Sequence, residues 1–133
     1  TYLTPSDTQA PGDFYNDPDA SAKFFDAVLG PLGYKRAFEM HGRVGYSCGE
    51  GQPPLIVGKP GDGGEATFGN GAMLGFRAEN PDKVQEAWNA GLKAGGKDEG
   101  APGPRPNGPP GTYAAYLRCP TGNKIGIFCT IPT

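Results

Sequence analysis

No apolar run in the sequence approaches the ~20 residues that a membrane-spanning helix needs, so no membrane partner is expected. No stretch is basic either. The 12 Lys and Arg are interspersed with 14 Asp and Glu for a net charge of -2, and without a basic patch or stripe nucleic acid is not an expected partner. Cysteine is scarce: Cys48, Cys119 and Cys129 are an odd count with no Cys-x-x-Cys spacing. They read as free thiols in a reducing, cytoplasmic compartment rather than a disulfide framework or a zinc site. The opening residues, Thr1-Tyr2-Leu3-Thr4-Pro5, show neither the charged n-region nor the apolar h-region of a signal peptide. Histidine occurs once, as His41.

Glycine and proline are abundant instead, at 23 and 15 of 133 residues. Such a share alone would suggest disorder, but these residues mostly punctuate segments with a clear apolar pattern and therefore read as turns. The length suffices for a core without staples, and no break in composition divides it, so residues 1–133 are expected to form one domain.

Residues 1–16 hold at most a short first strand at Tyr2-Leu3-Thr4, broken by Pro5, Pro11 and Gly12. Asp17-Pro18-Asp19 starts a helix, with Asp17 as cap and proline at the first position. Phe24, Phe25, Val28 and Leu29 mark its buried face, and Gly30-Pro31 stops it. Strands are expected over Tyr34 to Met40, Arg43 to Cys48 and Pro54 to Gly58, the first two joined by a His41-Gly42 turn. A polar, Gly-rich linker, Lys59 to Phe68, precedes a strand at Ala72 to Ala78. Asn80-Pro81-Asp82 opens a second helix with an apolar stripe of Val84, Ala87, Trp88, Gly91 and Leu92, ended by Gly95-Gly96. A short strand near Lys97, a proline-rich loop at Ala101 to Pro106, and a strand pair at Thr112 to Arg118 and Asn123 to Cys129 complete the chain.

A shift of 63 positions lays Asp17-Pro18-Asp19 on Asn80-Pro81-Asp82, Leu29 on Leu92 and Gly33 on Gly96. Each half then reads strand, helix, strand, strand, strand. Two such units, neither able to bury its sheet alone, should pair into one body. The expected fold is α+β: two βαβββ modules, about 1–60 and 69–129, paired around a curved mixed sheet with a cleft.

The closing run Cys119-Pro120-Thr121-Gly122-Asn123-Lys124-Ile125-Gly126 resembles the Asp-Pro-x-Gly-Asn-x-hydrophobic-Glu run of the vicinal-oxygen-chelate superfamily, which comprises glyoxalases, bleomycin-resistance proteins and dioxygenases. The resemblance covers Gly69 to Cys129 and implies the paired-module fold. It also implies a divalent metal in the cleft, held by His, Glu or Gln side chains from the first and last strands of the two modules and acting as a Lewis acid on paired substrate oxygens. Here the final carboxylate falls at Gly126 and the second module's His at Met73 or Ala72. The strand near Tyr2 has no His, Leu55-Ile56-Val57 has no carboxylate, and His41 sits in a turn. A thioether is a poor ligand for a hard ion and glycine offers none, so no metal and no other cofactor is expected. Cys119 replaces the turn aspartate and is expected to be a buried or half-buried free thiol.

Strand alternation puts Met73, Gly75 and Arg77 on one face with Lys124, Gly126 and Phe128, and leaves Leu74, Phe76, Ile125 and Ile127 for the helices. If the ligand positions face the cleft, its wall includes Met73, Arg77, Tyr116, Lys124 and Phe128. Tyr116 is then a ligand contact or only a strand filler. Arg105, with proline on both sides, is an anion clamp or a solvated loop residue. Gly69-x-Gly71-x-x-x-Gly75 precedes a strand rather than opening a helix, which argues against a phosphate cradle. The expected function is metal-free binding of a small organic molecule. The alternatives are a metal-dependent lyase of the lactoylglutathione lyase type or a ring-cleaving dioxygenase, and a degenerate fold kept for protein–protein contact. Homodimers are common in the superfamily, though no surface stripe argues for one here.

Overall fold

Proline at the first helical position and an asparagine before it determine where the second helix begins. Asn80 is extended (φ -158°), and its side-chain Oδ1 accepts a hydrogen bond from the Lys83 amide at 2.9 Å, satisfying one of the helix's free donors. The computed structural model describes residues 18–40, 43–49, 51–58 and 60–132. The expected strand at Tyr2, the Asp17 cap and the His41-Gly42 turn lie outside them. Within the described residues the elements run α1 (Pro18–Leu29), β1 (Lys35–Met40), β2 (Arg43–Ser47), β3 (Leu55–Gly58), β4 (Met73–Arg77), α2 (Pro81–Lys93), β5 (Lys97–Pro104), β6 (Thr112–Arg118) and β7 (Lys124–Thr130).

The strands form two open sheets. One is antiparallel, in the order β1-β2-β3; the other is mixed, in the order β4-β7-β6-β5, with β4 parallel to β7. This is the expected α+β architecture. The strands fall within a residue or two of their sequence-based bounds, with one correction. Ala101 to Pro104, read as part of a proline-rich loop, belongs to β5 and pairs with β6, Gly103 opposite Ala114 and Pro104 opposite Tyr113. β5 is an edge strand whose register shifts on both sides of Gly100, and a bulged edge tolerates residues that cannot donate to a ladder.

One core spans both halves of the described chain. Phe24, Phe25, Val28 and Leu29 of α1 are fully buried and join Val84 and Ala87 of α2, Ala115 and Leu117 of β6, and Ile125 and Ile127 of β7. Strand alternation turns Leu74, Phe76, Ile125 and Ile127 toward this core, as expected. The two helices cross closely at Gly91. A Cβ there would stand 2.7 Å from both Leu117 Cδ1 and Val28 Cγ2, so glycine is required for α2 to touch α1 and β6 at one point. After α1 the chain turns through Gly33 (φ 92°), with the Tyr34 amide bonded to the Leu29 carbonyl at 3.0 Å.

A polar network ties α1 to the first sheet. Arg36 grips Asp26 with two nitrogens, at 2.8 and 2.7 Å, and also pairs with Glu39. The phenol of Tyr46, whose ring is buried, lies 2.9 Å from Asp26 Oδ1. Burial alone pushes the Asp26 carboxyl up, but the hydrogen bonds from Arg36 and Tyr46 and the guanidinium charge outweigh it and hold the group below its ordinary value. Burial first, and then the bond to Asp26, push the Tyr46 phenol well above its own.

These contacts predict three results. In a helix, Gly91→Ala would gain about 1 kcal/mol from propensity. Here overpacking of two fully buried neighbours costs about 1–3 kcal/mol, so thermal unfolding should show a lower Tm; an unchanged or higher Tm would mean that α2 does not sit this close. The second concerns acid. Because the folded-state pKa of Asp26 is depressed, its stabilisation is present above the ordinary value of 3.8 and is lost as pH falls through the lower folded value. Asp26→Asn should therefore flatten that part of the acid limb in a urea-unfolding series. Tyr46→Phe should cost about 1–3 kcal/mol at neutral pH, the worth of a hydrogen bond to a charged partner.

Candidate functional site

The face of the β4-β7-β6-β5 sheet turned away from the core carries every side chain that the sequence proposed for a cleft wall. Parallel pairing sets Met73 beside Lys124, Gly75 beside Gly126 and Arg77 beside Phe128. Antiparallel pairing sets Tyr116 beside both Gly126 and Gly100. Met73, Gly75 and Arg77 are exposed, whereas Tyr116, Lys124 and Phe128 are half-buried.

The glycines of this face are covered by rings. A Cβ on Gly126 would stand 2.6 Å from the Phe128 ring and 3.1 Å from the Met73 sulfur; one on Gly75 would meet the same ring at 3.3 Å. Phe128 thus lies across two strands, and the thioether closes the volume beside it. Tyr116 covers Gly100 in the same way, with a Cβ-to-ring distance of 3.0 Å. The two aromatic rings meet edge to face, centroids 5.7 Å apart at 80°.

Two cations flank Tyr116. The Arg105 guanidinium carbon lies 5.3 Å from the ring centroid and Lys124 Nζ lies 5.1 Å from it. Arg105 is not a free loop side chain. Its guanidinium folds back on β5 and donates to the carbonyls of Ala101, Gly103 and Pro104 at 2.7, 3.1 and 3.2 Å. Arg118, on the same face, is neutralised by Glu99 at 2.9 Å. Among the described residues neither Arg77, Arg105 nor Lys124 has an acid partner. A depression of about 140 Å³, lined by Ala72, Met73, Leu74, Asn123 and Lys124, opens at the β4–β7 end of the face.

A larger hollow, about 740 Å³, lies between α1, β1 and β2. Its lining holds the Asp26–Arg36–Glu39 network, already paired with one another, together with Asp19, Lys23 and Arg43, and it has no aromatic wall. A third, about 250 Å³, sits beside the turn Cys119 to Gly122 under Phe68. Cys119 is a buried free thiol, as expected; Cys129 is buried too, and Cys48 is exposed.

The residues at the metal positions do not fit a divalent ion. At 126 the space of a side chain is taken by a phenyl ring and a thioether. β3 offers only Leu55-Ile56-Val57-Gly58, and no three His, Cys, Asp or Glu side chains converge among the described residues. His41 lies outside the described residues. What sequence reasoning missed is the cross-strand stacking. Tyr116 on Gly100 and Arg105 on Tyr116 depend on a β5 pairing that the run of prolines concealed. The Asp26–Tyr46–Arg36 network gave no local signal.

The fold has close parallels among solved structures. A glyoxalase/bleomycin resistance protein from Albidiferax ferrireducens is 38% identical over 85% of this chain and 89% of its own, with a TM-score of 0.75. A glyoxalase/bleomycin resistance protein/dioxygenase family enzyme from Burkholderia phytofirmans (16% identical, 98% and 96% covered, TM-score 0.67) and a glyoxalase-related enzyme from Fulvimarina pelagi (18%, 96% and 84%, 0.63) share the fold. No family model and no curated protein sequence matches the chain. No helix among the described residues is long and apolar enough to cross a membrane. With more than a third of residues identical over nearly the full length of the Albidiferax protein, and with the same arrangement of helices and sheets, the chain belongs to the glyoxalase/bleomycin resistance/dioxygenase superfamily.

Proposed function

We propose that this protein binds a small organic molecule on the open face of the β4-β7-β6-β5 sheet, and does so without a divalent metal. The observation that carries the reading is the Phe128 ring lying over Gly126 beside Met73. In the superfamily this position supplies a carboxylate; here it supplies apolar surface. Aromatic and thioether groups with a few well-placed polar groups suit a small planar or amphipathic ligand. Arg105, held by three carbonyls, and Lys124 supply the polar groups at one side. The lyase and dioxygenase alternatives need several protein donors around an ion, and Met73 and Gly126 provide none.

A thermal-shift screen tests this. Planar organic compounds of mixed charge should include some that raise the Tm in a concentration-dependent way, since a ligand at 100 times its Kd stabilises by about 2.7 kcal/mol. Tyr116→Leu should weaken those hits roughly two- to tenfold, the worth of one aromatic contact. Ni, Mn, Zn and Fe(II) should leave the Tm unchanged. A stoichiometric metal with a matching rise in Tm would overturn the proposal and restore the metal-enzyme reading.

A further inference from the structure

We infer that the ligand of this face is a planar anion, an aromatic or conjugated ring bearing a carboxylate, held with its charge between Arg105 and Lys124. The inference rests on the small-molecule reading above and adds the charge class. The chain as a whole is slightly acidic, at -2, yet this face gathers Arg77, Arg105 and Lys124 with no acid partner among the described residues. Glu99, the acid that reaches the same face, is already engaged by Arg118.

Two of the three are held against one ring. Arg105 and Lys124 lie 5.3 and 5.1 Å from the Tyr116 centroid, so both positive charges act on the space around that ring. A carboxylate placed there is drawn to both, and the guanidinium fork of Arg105, with five N–H donors of which three go to carbonyls, keeps donors for it. The fork is positioned in advance by the carbonyls of Ala101, Gly103 and Pro104, which lowers the ordering cost of binding. Tyr116 and Phe128, at 80° to each other, leave a corner in which a ligand ring meets one face and one edge. A neutral ligand leaves the charge uncompensated, and a cationic one adds to it.

Matched probes decide the question: 1-naphthoate, its neutral isostere 1-naphthamide, and 1-naphthylmethylammonium, titrated by calorimetry against the full chain. The carboxylate should bind at least about tenfold more tightly than the amide, the difference expected of a charged hydrogen bond, and the ammonium should bind weakest. Arg105→Gln and Lys124→Gln should each erase most of that preference. Lys83→Gln, which removes a cation from the surface of α2, should not. Raising the ionic strength should weaken the carboxylate and spare the amide. An amide equal to or tighter than the carboxylate overturns the inference and leaves small-molecule binding standing. A carboxylate preference untouched by either variant overturns the assignment to Arg105 and Lys124. Failure of all three naphthalenes to bind overturns the inference and counts against the ring-binding face itself.

Discussion

Helix α2 reaches α1 and strand β6 at the same point, and it can do so because residue 91 has no side chain. Leu117 and Val28 meet over that glycine and exclude water from the place where the two halves of the chain join. Everything beyond follows from this seating. With α2 pressed on one face of the four-stranded sheet, Leu74, Phe76, Ile125 and Ile127 must turn toward it, and the alternate residues must turn away. The open face is therefore the complement of the core. Its composition is free to answer to a ligand because it does not answer to the packing of the helices.

That freedom is used in an unusual way for a solvent-facing sheet. Glycines at 75, 100 and 126 leave shallow sites on the backbone, and the rings of Phe128 and Tyr116 reach over them at 80° to each other. An aromatic corner results, with cations at its margin. The three-stranded sheet repeats the device, for Phe38 lies over Gly45 across β1 and β2. Ring over glycine protects strand backbone that would otherwise be open to water, and it restores packing that a glycine forfeits.

Much of this was legible in the sequence wherever the signal was local or periodic. Asn80-Pro81 announced α2 because capping involves neighbours only, and alternation in Met73 to Arg77 and Lys124 to Phe128 sorted core from face correctly. The repeat of the helix start fell where α1 and α2 begin, at Pro18 and Pro81. What escaped depends on register. Gly103 meets Ala114 only through a bulged strand, and its prolines argued for a loop because sequence does not reveal that β5 is an edge. Arg105 was therefore read as an anion clamp or a solvated loop residue, with no sign that its guanidinium is fastened to β5. Asp26, Arg36 and Tyr46 come from a helix and two strands, and nothing in their spacing says that they meet.

Gly126, Phe128 and Met73 divide a single volume among them, and this bears on how such a face can change through time. An acid arriving at 126 would find a ring 2.6 Å and a sulfur 3.1 Å from its first carbon. It is accommodated only when the ring end and the thioether, both on side chains that can turn outward, give up that volume. A change at 126 therefore uncovers the strand that Phe128 and Met73 now shield. The three positions are coupled, and a substitution at any one of them resets what the other two can be.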